Sequence, residues 1–259
     1  MALAADSIHR VIVSTTDAVL GVSAPQQIAT GLRNAAGMAF DSAGDLYLED
    51  NGIDGTGADG QPISVSADEL NRIPAAALGQ TVVDFGFAGT YVRYSDGMLV
   101  EPSPANTAAV SPLVAFRPIN GEKSEGAVEI AMAPAGFGPD FAGGVFTAFY
   151  GLWNGAGLTN DENPVVFADP NSGAAFHFVP NQLLGHPYGL LATTDSLFLS
   201  DLSSTGNIYT TVNGVPANAA GVIYMITPVP EPAFPTAVVV VACAAAAYGR
   251  RRRRDCPSP

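Results

Sequence analysis

Apolar positions along most of the chain fall in short alternating or continuous runs bounded by Gly, Pro, Asn and Asp. This is the pattern of strands joined by turns. It predicts strands over residues 8–14, 37–40, 45–49, 82–87, 127–133, 145–150, 189–192, 196–200, 208–212 and 222–226. Helical signals are weak. Residues 66–73, with Ser66 as cap and Glu69 three positions on, and residues 74–78 each predict one or two helical turns.

One unit recurs. Residues 37–50 read as two strands joined by a tight turn at Ser42, Ala43 and Gly44, ending on Asp50. Residues 189–201 repeat the plan and end on Asp201, and residues 127–150 are a looser copy whose turn is expanded by residues 134–144. Hairpins of this kind, each followed by a further strand such as 208–212, are how a propeller blade is written. An all-β sandwich with accidentally similar hairpins is the competing architecture.

The C-terminal end is patterned differently. Pro228, Pro230 and Pro232 make a stiff spacer, and residues 233–248 carry no charge and are almost wholly apolar. A helix over 233–249 is predicted to span a membrane, although its apolar run over 233–248 reaches only ~24 Å of a core ~30 Å thick. Arg250, Arg251, Arg252, Arg253 and Arg254 follow at once. The positive-inside rule keeps them cytoplasmic and places the preceding chain across the membrane. Four segments result: a body over 1–228, a Pro-rich motif over 229–232, the span over 233–249 and a basic tail over 250–259.

Charge sharpens this division. The formal net charge is −13, but residues 1–228 hold 22 acidic and 6 basic groups, a net of −16. Such a body repels phosphate backbones, which excludes nucleic acid as a partner. Both cysteines, Cys243 and Cys256, lie outside the body, so it has neither an internal disulfide nor a Cys-based zinc site.

The tail, with Pro230, Glu231 and Pro232, an apolar span and the arginine cluster, resembles a PEP-CTERM sorting signal. The resemblance implies processing by an exosortase-type transpeptidase in a Gram-negative-type bacterium. It further implies an inner-membrane-anchored precursor that reaches the cell surface or is released, often alongside exopolysaccharide. Export calls for a signal peptide, and residues 1–6 offer only a short apolar fragment before Asp6. The expectation is a chain that starts late.

The body carries a second resemblance. Gly31-Leu-Arg-Asn34, Gly37-Met-Ala-Phe40, Leu46-Tyr-Leu-Glu-Asp-Asn-Gly52, Asp68-Glu-Leu-Asn-Arg-Ile73 and Asp84-Phe-Gly-Phe87 occur in one order. Val145-Phe-Thr-Ala-Phe-Tyr-Gly-Leu-Trp-Asn154 and His186-Pro-Tyr-Gly189 follow. This succession resembles the glucose/sorbosone dehydrogenase family, six-bladed propellers that include soluble PQQ-dependent sugar dehydrogenases. Six blades of roughly 40–50 residues need about 240–300 residues, so the expectation here is an incomplete propeller of four to five blades' worth.

Candidate site residues come from both sources. The loop holding Asp50, Asn51, Gly52, Asp54 and Asp59, with Asp68 and Glu69 beyond it, offers hard oxygen ligands of the kind calcium takes. A solvated acidic loop is the alternative. The resemblance implies that the backbone carbonyls of Gly52 and Ile53 meet a calcium that contacts PQQ, with Asp50, Asp54, Asp68 and Glu69 as metal candidates. Tyr150, Trp153 and Asn154 form a candidate sugar-stacking platform or part of a propeller core.

Catalysis fares less well. Oxidising a sugar hydroxyl needs a base while hydride leaves to the cofactor, and the resemblance implies a histidine well upstream of Arg33. His9 is the sole histidine there, and Tyr150 stands where the family has another. Arg33, Arg93 and Arg117 are the available cations for the carboxylates of PQQ. His177 and His186 lack the spacing of a zinc enzyme. Two functions are therefore expected: a non-catalytic, surface-associated propeller that binds polysaccharide or sugar, or a PQQ- and calcium-dependent sugar or aldehyde dehydrogenase whose catalytic blade lies outside this sequence.

Overall fold

The computed structural model describes residues 3–16, 19–60, 62–118, 123–151, 164–179, 184–202, 211–212, 215–216 and 221–229. The chain divides into two compact units, Met1–Thr227 and Pro228–Pro259. The sorting-signal residues from Pro230 to Arg254 lie outside the described residues, as does the predicted span. No helix among the described residues is long and apolar enough to cross a membrane.

The first unit is all-β, and its sheets are propeller-like. The second sheet is a four-stranded meander of Ala35–Phe40, Leu46–Asp50, Asp68–Ile73 and Val114–Phe116. The third repeats it with Ala127–Met132, Val145–Phe149, Val165–Ala168 and Ala175–Val179. A fourth sheet joins Pro187–Ala192, Leu197–Asp201 and Val222–Ile226, and the first joins Ile8–Arg10, Gln26–Thr30 and Val83–Asp84. The leading strands of the second, third and fourth sheets pack against one another.

Period-two alternation explains why the middle strands read as continuous apolar runs. In Val145–Phe149 every residue is buried, with Val145 and Phe149 facing the second sheet and Phe146 and Ala148 facing the fourth. Leu46 and Leu48 likewise face the first sheet, while Tyr47 faces the third. Phe137 and Phe141, from two short 3-10 turns inside the expanded hairpin, close a cluster of rings around Phe146 and Phe178. Three apolar clusters thus join the sheets in sequence order.

The sheets also meet closely near their leading strands. A Cβ at Gly37 would lie 2.7 Å from both Glu129 Cα and Ile130 N, so only a residue without a side chain allows this approach.

Three sequence expectations need correction. Asp68–Ile73 is a strand rather than a helix, because Leu70 and Ile73 complete the apolar clusters between sheets. Residues 74–78 form a turn, with the Ala77 N–H donating to the Pro74 carbonyl at 2.8 Å. The strand completing the fourth sheet is Val222–Ile226, while Thr211–Val212 pairs with Val215–Pro216 in a separate small hairpin.

Candidate functional site

The recurring aspartate has a structural task. Asp50 ends its strand and accepts the N–H groups of Arg33, at 3.1 and 2.9 Å, and Asn34, at 2.6 Å. Asp201 repeats this in the fourth sheet, accepting Gly185 N–H at 2.7 Å and His186 N–H at 2.6 Å. Each carboxylate fastens the segment entering its sheet to the end of the second strand. In the third sheet Phe149 occupies the corresponding register position. Backbone bonds replace the carboxylate there, from Tyr150 N–H to Gly126 O at 2.8 Å and from Gly151 N–H to Glu125 O at 3.0 Å.

These latched ends surround a cavity of about 450 Å³. The second sheet contributes Arg33, Asn34, Asn51, Gly52, Asp54, Ser66 and Asp68; the third contributes Glu125, Gly126 and Tyr150; the fourth contributes Tyr188. Asp68 sets the relation between two of these sheets. One carboxylate oxygen accepts Gly52 N–H at 2.7 Å and the other accepts Ala127 N–H at 2.8 Å. Ser66 Oγ accepts Ile53 N–H at 2.6 Å, and Asn51 Nδ2 donates to Ala127 O at 2.6 Å.

Four carboxylates stack on the two adjacent strands behind the cavity, with Asp50 directly opposite Glu69. Burial raises Glu49 well above the usual carboxylate range, and nearby Asp68 and Asp50 add to the effect. Burial also raises Asp50, against the hydrogen bonds from Arg33 and Asn34. Asp68 is pushed up to about 6 by burial, although Gly52 and Ala127 N–H groups favour its charged form. Glu69 is pushed up to about 7 by burial, with Asp50 opposing its charge and Asn71 favouring it.

The four metal candidates are therefore neighbours with separate commitments. Asp50 and Asp68 hold backbone N–H groups, Asp54 meets Arg33 at 3.1 Å, and Glu69 accepts from Asn71 at 3.3 Å. The Ile53 carbonyl accepts Val65 N–H at 2.7 Å and Ser66 N–H at 3.3 Å. Among the described residues, no group of three or more His, Cys, Asp or Glu side chains is arranged to hold a metal ion.

Of the sugar-platform candidates, Tyr150 lines the cavity, while Trp153 and Asn154 lie outside the described residues. His186 packs behind Tyr150 with ring centroids 4.7 Å apart, and its Nδ1 lies 3.1 Å from the Tyr150 carbonyl oxygen. Tyr188 stands at the rim, 6.4 Å from Tyr150 and at 79° to it. His9 belongs to a different hollow, lined also by Asp6, Arg33 and Met38. Arg93 pairs with Asp96 at 2.7 Å and Arg117 donates to the Tyr94 carbonyl at 3.0 Å, which leaves Arg33 as the cation on the cavity wall. Glu125 and Tyr188 are lining residues the sequence reading missed. Their signal is positional, since both belong to segments entering a sheet, as Arg33 and Asn34 do.

No protein-family profile and no curated protein matches the chain. Solved structures do. The iodide structure of a Trichoderma reesei protein of Carbohydrate-Active Enzymes Family AA12 superposes with a TM-score of 0.51 at 16% identity, over 79% of this chain and 55% of that one. A calcium structure from the same organism and family gives 0.51 at 16%, over 79% and 54%. The fold is shared. The PQQ domain of pyranose dehydrogenase from Coprinopsis cinerea gives 0.46 at 17%, over 71% and 54%. This chain spans about half the length of the solved structures it matches.

PQQ carries three carboxylates, and the cavity is a poor match for it. Among the described residues its lining offers one guanidinium, Arg33, already paired with Asp54, beside the carboxylates of Asp68 and Glu125. Calcium, which takes 6–8 oxygens, meets donors already engaged by N–H groups. The lining suits a hydrogen-bonding ligand without anionic charge.

Proposed function

We propose that the body is a carbohydrate-binding propeller without redox chemistry of its own, carried by an exported, surface-associated protein. The observation that carries this reading is the cavity wall. Tyr150 and Tyr188 offer ring surface against which the apolar face of a sugar ring packs, and Asn34, Asn51, Ser64 and Ser66 supply donors and acceptors for hydroxyl groups. The fold shared with a carbohydrate-active enzyme family agrees with a saccharide ligand. Among the described lining residues there is no histidine to serve as the base that sugar oxidation needs.

Localisation follows from the tail. In this reading an exosortase-type transpeptidase acts near Pro230, Glu231 and Pro232 while residues 233–249 hold the precursor in the inner membrane. Arg250, Arg251, Arg252, Arg253 and Arg254 keep its end cytoplasmic. The body then works at the cell surface or beyond it, near exopolysaccharide.

The fold likeness, which includes a calcium structure, also favours a second reading: a PQQ- and calcium-dependent sugar or aldehyde dehydrogenase whose catalytic blade lies outside this sequence. Reconstitution with PQQ and calcium, followed by dye reduction with aldoses, separates the two. The binding reading predicts no turnover above background, and turnover favours the dehydrogenase.

A further inference from the structure

Resting on the carbohydrate reading, we infer that the cavity selects a cationic saccharide, an amino-sugar unit whose ammonium sits in the corner made by Tyr150, Tyr188 and the lining carboxylates. Two independent features lead there. The first is the aromatic corner. Tyr150 and Tyr188 stand at 79° with centroids 6.4 Å apart, and His186, tilted 34° to the Tyr150 ring, packs against it at 4.7 Å. Two rings near a right angle present a partial cage, and the face of a tyrosine ring attracts an ammonium group.

The second is the sign of the lining. Asp54, Asp68 and Glu125 face the cavity with Arg33 as the cation among the lining residues. The Arg33 guanidinium lies 3.1 Å from Asp54, so these two charges offset each other and Asp68 and Glu125 leave the wall net negative. A uronic acid brings a carboxylate to an already negative wall, and a neutral hexose gains nothing from it. An ammonium gains charge-assisted hydrogen bonds, about twice as strong as neutral ones. Asn34, Asn51, Ser64 and Ser66 remain for the ring hydroxyls, which distinguishes a saccharide from a bare alkylammonium.

The test is calorimetric titration of the full chain with three oligosaccharides of equal length, built from glucosamine, N-acetylglucosamine and glucuronic acid. The glucosamine oligomer is expected to bind about tenfold more tightly than its N-acetylated counterpart, and to lose that advantage as salt is raised. The Asp54→Asn variant alters an exposed side chain, releases Arg33, and is expected to reduce the preference several-fold. Equal or tighter binding of the N-acetylated oligomer overturns the cationic selectivity and leaves the carbohydrate reading standing. Binding by none of the three overturns both.

Discussion

Asp68 accepts the N–H of Ala127 at 2.8 Å across 59 residues of sequence, and this bond joins the second sheet to the start of the third. Its other oxygen holds Gly52 on the cavity wall. Asp68→Ala leaves two N–H groups without their acceptor, at a cost of about 1–3 kcal/mol for each that stays buried. Urea unfolding is expected to show a loss of roughly 2–6 kcal/mol, and a loss below ~0.5 kcal/mol, the range of a neutral surface change, would show that the bond is not structural.

Stability is expected to depend on pH through the buried carboxylates. Asp68, at about 6, and Glu69, at about 7, both lie above their ordinary values because of burial. A carboxyl raised by folding binds its proton more tightly in the folded state. Its contribution is complete below its unfolded value and is lost as pH rises through its folded value. Melting temperature should therefore fall between about pH 4 and pH 7, from the ordinary values of these carboxyls to their folded ones. Glu69→Gln removes one of these titrations, so its curve should be flatter by about 2–4 °C, chiefly between about pH 4.5 and 7. An unchanged slope contradicts the assignment.

The fold and the site were legible to different degrees. Strands such as Leu46–Asp50, Val145–Phe149 and Leu197–Asp201 show in the sequence because their residues are apolar and their ends are marked by turns. Asp68–Ile73 misled: Ser66 and Glu69 mimic a capping box, and Asp68 and Asn71 are buried polar residues inside a strand. Those polar residues serve the site, where local sequence preference and final structure part company. Val165–Ala168 is a strand of four apolar residues, too short to distinguish from other apolar runs. The repeated Asp50 and Asp201 were visible as a pattern, though their task was not. Glu125 and Tyr188 could not be joined to Arg33 from sequence, because only the packing of three successive sheets brings them together.

Close approach of the leading strands makes Gly37 sensitive. Any side chain there meets the backbone of Glu129 and Ile130, which cannot move aside as a flexible side chain could. Gly37→Ala is expected to cost about 1–3 kcal/mol in urea unfolding, and a neutral result would place the sheets further apart.

Phe146 is fully buried and touches the rings of Phe137, Phe141, Phe167 and Phe178. Phe146→Ala opens a cavity between the third and fourth sheets and should cost about 3–5 kcal/mol. Phe176→Ala, at a residue 46% exposed, serves as the comparison and should cost distinctly less in the same denaturation series.

The central claim is that Tyr150 and Tyr188 wall a saccharide site. Equilibrium binding of a glucosamine oligomer to the full chain and to its Tyr188→Ala variant tests it most directly, since Tyr188 is 56% exposed and its removal leaves the core intact. Saturable binding to the native chain is expected, weakened about tenfold in the variant. Equal affinity for both proteins, or no saturable binding to the native chain, would contradict it.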